Sequence, residues 1–157
     1  MFSAYALQGV ATAKKGVFTR DELAPLALTN VEALKDFAYF TFAKAESKKQ
    51  SFAEPTDYYL ECKNDLLTLH FTLPFIAPVR TKQLVLEIFD PTFFVSFSME
   101  KQDPVGVVGA STTCKVALRP QEAVAPPSQT LNEDNFLNGD TVNYGAIFTN
   151  HITVACP

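Results

Sequence analysis

The sequence has no tryptophan, only two histidines and only three cysteines. With fourteen phenylalanines and no tryptophan, Phe is expected to dominate the core. The two histidines, His70 and His151, fall short of the three or four N, S or O ligands of a usual zinc site. Cys62, Cys114 and Cys156 fit no CxxC zinc or redox spacing. The formal charge is −4 and no basic stripe is present, so nucleic acid is not expected as the main partner. The densest basic stretch, Lys44 to Lys49, contains Glu46 and reads as a solvated turn. No run reaches ~18 uninterrupted apolar residues, so neither a transmembrane helix nor membrane insertion is expected. Residues 1–10 offer no basic n-region and no small-residue cleavage site. Taken alone, that absence of a signal peptide suggests the cytoplasm.

What is present points to a mainly β fold. A chain of 157 residues that is 47% hydrophobic suits a single globular domain. Residues 2–8, FSAYALQ, look like the tail of a helix. Thr19 and Glu22 form a T-x-x-E capping box, after which Leu23, Leu26, Ala27, Val31, Leu34 and Phe37 recur at helical spacing. Pro25 lies inside that run and is expected to kink or break the helix. From Tyr39 the period becomes two. Strands are expected at Tyr39–Lys44, Asp57–Lys63, Leu66–Leu73, Gln83–Phe89, Phe94–Met99, Thr113–Leu118 and His151–Cys156. In the clearest of them Leu67, Leu69, Phe71 and Leu73 face one way, and Leu66, Thr68, His70 and Thr72 the other, as in an antiparallel sheet with one wetter face. Asn64-Asp65, Asp90-Pro91 and Asp103-Pro104 supply the turns. The expected organisation is one domain: a helix–loop–helix over 1–38, antiparallel strands over 39–118, a Pro-rich and irregular connection over 119–143, and a C-terminal strand within 144–157. A β-sandwich-like arrangement is the expected architecture.

Candidate sites are few. Ala11 to Glu22 has the skeleton of an EF-hand calcium loop, with Gly16 at its sixth position, Thr19 at its ninth and Glu22 at its twelfth. Its first, third and fifth positions, where oxygen ligands belong, hold Ala11, Ala13 and Lys15. Methyls and an ammonium cannot coordinate a hard cation, so the loop reads as a degenerate EF-hand kept for shape. His70 and His151 would be weak metal ligands if their strands were neighbours and a carboxylate such as Glu61 or Glu87 helped. The plainer reading is two polar strand residues on a solvated face. Gly109-Ala110-Ser111 is not a nucleophile elbow. Glu61 beside Cys62 disfavours a thiolate. Asp57, Asp90 and Asp103 stand where aspartates cap turns. No Gly-rich phosphate loop occurs. The expectation is therefore a protein that is not an enzyme and takes no cofactor.

Several segments carry a resemblance. FSAYALQG, GVFTRDELAPLALTNVEALKDFAYFTFAK, FAEPTDYYLE, LLTLHFTLPF, LVLEIFDPTFFVSF, DPVGVVGAS, CKVALRP and FTNHITVACP follow one another in the order found in one family. The chain resembles a bacterial domain-of-unknown-function family described as the periplasmic component of an uncharacterised ABC-type transport system. The resemblance covers nearly the whole chain outside residues 119–143, and its most specific parts are EPTDYYLE and DPTFFVSF, with Asp90, Pro91 and Thr92 as the motif. It implies a periplasmic location in place of a cytoplasmic one. It also implies a non-enzymatic accessory or binding role in transport, with metal ions as the cargo, or else an envelope interaction module that binds a protein and no small ligand. The implied partners are a membrane transporter or another envelope protein. Members of the family carry a His-Pro-His motif and two strands ahead of the FSAYALQG segment, and the chain begins inside that segment. An uncovered sheet edge, and with it a homodimer, is the corresponding expectation. Phe93 and Ser96 replace the family's usual Tyr and Asp in the DPT motif. Cys114 and Cys156 stand where the family places cysteines, which implies a disulfide between them and leaves Cys62 free.

Overall fold

The structure is a computed structural model, and it describes residues 7, 10, 17–64, 66–121 and 148–157. The FSAYALQ segment apart from Leu7, the calcium-like loop through Gly16, the Pro-rich connection beyond Gln121 and the irregular segment up to residue 147 lie outside the described residues. The fold is mainly β, with antiparallel sheets and one α-helix. It consists of two compact units, one drawn from Met1–Tyr39 and Ser51–Val79, the other from Phe40–Gln50 and Arg80–Pro157. The strands expected between residues 39 and 118 are thus divided between the two.

The first unit holds helix α1 (Arg20–Lys35) and the antiparallel pair of the next paragraph. Thr19 is its N-cap: its hydroxyl accepts from the Glu22 amide, and the Glu22 carboxylate accepts from the Thr19 amide, so both partners of the capping box are engaged. Pro25 lies inside α1 without breaking it, so of the kink or break expected from the sequence the break does not occur. One backbone hydrogen bond is forfeited, but Leu23, Ala27 and Val31 form a buried stripe at four-residue spacing that holds the turns on either side. The Thr29 hydroxyl and the Asn30 amide donate back to the carbonyls of Pro25 and Leu26, at 3.0 and 2.7 Å. Ala38, Tyr39 and Phe40 follow with φ of 52°, 54° and 53°, a short left-handed stretch adopted without a glycine.

In this unit a strand pair is formed by Thr56–Lys63 and Leu66–Thr72, close to the expected bounds. A bulge between Thr56 and Tyr59 places Asp57 at φ 52°. Leu23 and Ala27 of α1 pack with Leu60, and Leu67 and Leu69 join them, which is the alternation read from the sequence. Phe52 and Phe75 stack at 5.1 Å across an isolated bridge.

The second unit is a five-stranded antiparallel sheet. In chain order β1 is Thr41–Ala45, β2 Lys48–Gln50, and, with the pair above as β3 (Thr56–Lys63) and β4 (Leu66–Thr72), β5 is Gln83–Ile88, β6 Lys115–Arg119 and β7 Asn150–Ala155. The sheet order is β2-β1-β5-β7-β6. Two sequence readings change here. The basic stretch is a hairpin rather than a turn alone: Glu46 and Ser47, at φ 46° and 68°, form the two-residue connection, and Lys48–Gln50 returns as β2. Phe94–Met99 is not a strand. Its first two amides, those of Phe94 and Val95, are bound by the Asp90 carboxylate instead of entering a ladder.

The expected Phe-dominated core is also corrected. Among the described residues the buried apolar side chains are Leu23, Ala27, Val31, Ala43, Ala45, Leu60 and Ile152. The phenylalanines work as half-buried ring pairs, Phe42 with Phe89 at 4.7 Å and Phe40 with Phe97 at 5.0 Å.

Candidate functional site

The DPT motif closes on itself. Asp90 follows β5 and is 3% exposed. One carboxylate oxygen accepts from the Thr92 amide at 2.8 Å and the Thr92 hydroxyl at 2.6 Å. The other accepts from the amides of Phe94 at 3.1 Å and Val95 at 2.9 Å. Burial opposes ionisation of this group, but the hydrogen bonds from Thr92, Val95 and Phe94 outweigh it and hold the carboxyl below the usual Asp range. Pro91 presets the first turn position. Asp90 is therefore a structural anion that gathers the chain from residue 90 to residue 95. The gathered loop turns its apolar side chains outward: Phe94 is 92% exposed, and Phe93 and Val95 about half.

A second buried polar group, Asn150 at the start of β7, secures the same stretch further on. Its side-chain amide donates to the Phe97 carbonyl at 2.8 Å, and its carbonyl accepts from the Gln121 amide at 2.9 Å. Sequence reasoning missed Asn150. The available signal was its phase: it alternates with Ile152 and Val154 and so belongs to the apolar face of its strand.

The two histidines are not brought together. His70 lies on β4 in the first unit and His151 on β7 in the second. Each has the carboxylate considered for it: His70 Nε2 is 3.9 Å from Glu61, and His151 Nδ1 is 3.6 Å from Glu87. Tyr59 stacks on His70 at 4.4 Å, and the Arg20 guanidinium lies 3.8 Å over the other ring of that stack, Tyr59. Hydrogen bonding to Lys63 lowers the Glu61 carboxyl. Glu87 instead bridges His151 and Lys44, whose ammonium is 2.9 Å away. Among the described residues no group of three or more His, Cys, Asp or Glu is placed to hold a metal ion.

Burial first, and the charges of Arg119 and Lys44 with it, push His151 below the ordinary imidazole value of 6.5, against the pull of Glu87. The unfolded chain then binds this proton more readily than the folded one, so stability is full above that value and is lost as pH falls through it. The expected result is a melting temperature that declines between about pH 7 and pH 5, with a smaller decline in His151→Gln. Identical profiles for the two proteins would remove His151 as the cause.

Cys114 and Cys156 form a disulfide, with Cα atoms 4.2 Å apart. They face each other one step beyond the Lys115–Ala155 pair, at the end of the β6–β7 ladder. Such closeness suits a directly opposed antiparallel pair. Cys62 is free and half-buried against the Leu23–Leu60 cluster.

The Thr19 and Glu22 end of the calcium-like loop serves as the helix cap described above, while Gly16 falls outside the described residues. The sequence profile of the family described as "Protein of unknown function (DUF1007)" matches residues 1–156. An uncharacterized 15.5 kDa protein in the trpE 3′ region of Spirochaeta aurantia is 28% identical over 93 residues, which are 59% of this chain and 66% of that protein. No solved structure matches the chain. With the profile running over nearly every residue, the chain belongs to the DUF1007 family of proteins of unknown function.

Proposed function

We propose that this protein is a non-enzymatic periplasmic accessory protein that works by binding another envelope protein, with a membrane transporter as the partner class. The observation that carries the reading is the Asp90 loop, which spends a buried, four-fold hydrogen-bonded carboxylate on holding an almost fully exposed phenyl ring. Burying a Phe side chain is worth about 1.5–3 kcal/mol, so a loop built to keep one in water gains nothing for the isolated fold. Exposed aromatic side chains on a rigid support are the usual anchors of protein interfaces. The disulfide supports the compartment, because such bridges persist where conditions are oxidising. Transport, with metal ions as cargo, enters through the family resemblance.

A photo-crosslinking residue at position 94, used in cells, tests the reading. Adducts with a transporter subunit or another envelope protein are expected, and none from position 101 on the same unit. Equal yields from both positions would overturn it.

The finer architecture belongs to the same reading: a sandwich-like antiparallel domain, entered through a calcium-type loop that has lost its ligands at Ala11, Ala13 and Lys15. Millimolar calcium should leave the melting temperature unchanged. A rise of several degrees would contradict the degenerate loop.

A further inference from the structure

The five-stranded sheet has two unlike faces. Pairing register puts Ala43, Ala45, Leu84, Leu86, Val116, Leu118, Ile152 and Val154 on one of them, with the buried residues among them. The opposite face carries Lys49 on β2, Lys44 on β1, Glu87 on β5, His151 on β7, and Lys115 and Arg119 on β6. Four permanent cations thus share a face with one carboxylate, in a chain whose formal charge is −4. Lys44, Lys49, Lys115 and Arg119 are all exposed.

Stability does not account for this arrangement. Lys44 and Lys49 are directly opposed in the β1–β2 hairpin, where like charges destabilise. Among the described residues Lys44 has an ion pair, with Glu87, and Lys49, Lys115 and Arg119 have none. Glu87 is engaged twice, by Lys44 and by His151, which leaves no carboxylate for the rest.

We propose that this face is a docking surface for an acidic protein. The cations stand in two strips, Lys44 with Lys49 and Lys115 with Arg119, and the strands between them carry half-buried Val85 and Thr153. Three inter-strand steps separate β1 from β6, so the strips lie roughly 14 Å apart. A charged margin around a less polar middle is the anatomy of a protein–protein interface. The Glu87 carboxylate in the middle suits a partner of mixed charge, with acidic groups at two margins, better than the uniform phosphates of a lipid surface. The partner's carboxylates would gain mainly in speed and selectivity of association, and the complex would weaken with salt. This surface is separate from the Asp90 loop and does not rest on it.

The test uses the full chain and two probes at low ionic strength: a labelled 20-residue polyglutamate followed by fluorescence anisotropy, and phosphatidylglycerol vesicles followed by co-sedimentation. Lys115→Glu/Arg119→Glu reverses one strip. Lys48→Glu/Lys101→Glu makes the same change of net charge, with Lys48 on the other face of β2 and Lys101 outside the sheet. The strip variant is expected to bind the peptide at least about tenfold more weakly than wild type, and the control no more than about twofold. Should the reversed strip prevent folding, Lys115→Gln/Arg119→Gln should weaken binding in the same direction by a smaller factor. Equal losses in both charge-reversed proteins would reduce the effect to net charge and overturn the proposal. So would vesicle binding without peptide binding, or no peptide binding at all. A wild-type dimer that the strip variant dissociates in sedimentation velocity would reassign the face to a second copy of the chain.

Discussion

Removing the Cys114–Cys156 bridge should cost roughly 4 kcal/mol, the loop-entropy value for cross-linking two residues 42 apart. That is a large share of the ~5–15 kcal/mol that holds a typical domain together. For a chain of this size it corresponds to a fall of roughly 10 °C in melting temperature. Cys114→Ser/Cys156→Ser tests it by urea denaturation, and the intact protein should show Cys62 as its one alkylatable thiol until a reductant is added. Three reactive thiols without reductant, or an unchanged melting temperature in the double variant, would refute it. The strand order also tells where the loss is felt. β7 lies inside the sheet, paired with β5 on one side and β6 on the other. The bridge therefore fastens β6, which ends the sheet order, to a strand that is already held. Amide exchange on reduction should rise first in Lys115–Arg119.

Local chemistry was legible in the sequence and long-range chemistry was not. The capping box of Thr19 and Glu22 spans three residues, so its two hydrogen bonds could be read directly. The alternation of Leu67, Leu69 and Phe71 named β4 and its inward face for the same reason. The β1–β2 hairpin escaped because its turn residues, Glu46 and Ser47, are not the Asn-Gly type that usually signals one. Phe94–Met99 has strand periodicity, yet its first two amides bind a carboxylate four and five residues back. Periodicity records which side chains alternate. It does not record which acceptor wins the backbone.

The candidate sites divide along the same line. Asp90 was legible as a turn aspartate, since all of its partners lie within five residues. The opposed charges of Lys44, Glu87, His151 and Arg119 come from four strands spread over much of the chain, and only the order β1-β5-β7-β6 assembles them. The pairing of His70 with Glu61 and of His151 with Glu87, in separate units, likewise follows from register.

Asn150→Ala should cost about 3 kcal/mol, because it strands two backbone groups at once and each buried unsatisfied group costs ~1–3 kcal/mol. Asn150 is fully buried, and its two bonds reach 53 residues back to Phe97 and 29 back to Gln121. Asn150→Asp separates the two roles. It keeps an acceptor for the Gln121 amide but sets a carboxylate against the Phe97 carbonyl, so it should be more damaging than Ala at neutral pH and should recover part of the loss in acid, where the carboxyl can donate. Urea denaturation at pH 7 and pH 5 separates these outcomes. A structural consequence follows for the exposed loop. Phe97 is the next anchored point after the Asp90 turn, with its ring against Phe40 at 5.0 Å. Releasing its carbonyl should raise amide exchange at Phe94 and Val95, although the amides of both are held by Asp90, which is unchanged. A loss below about 1 kcal/mol, with exchange at those two amides unaltered, would mean that water replaces the side chain and that Asp90 holds the loop alone.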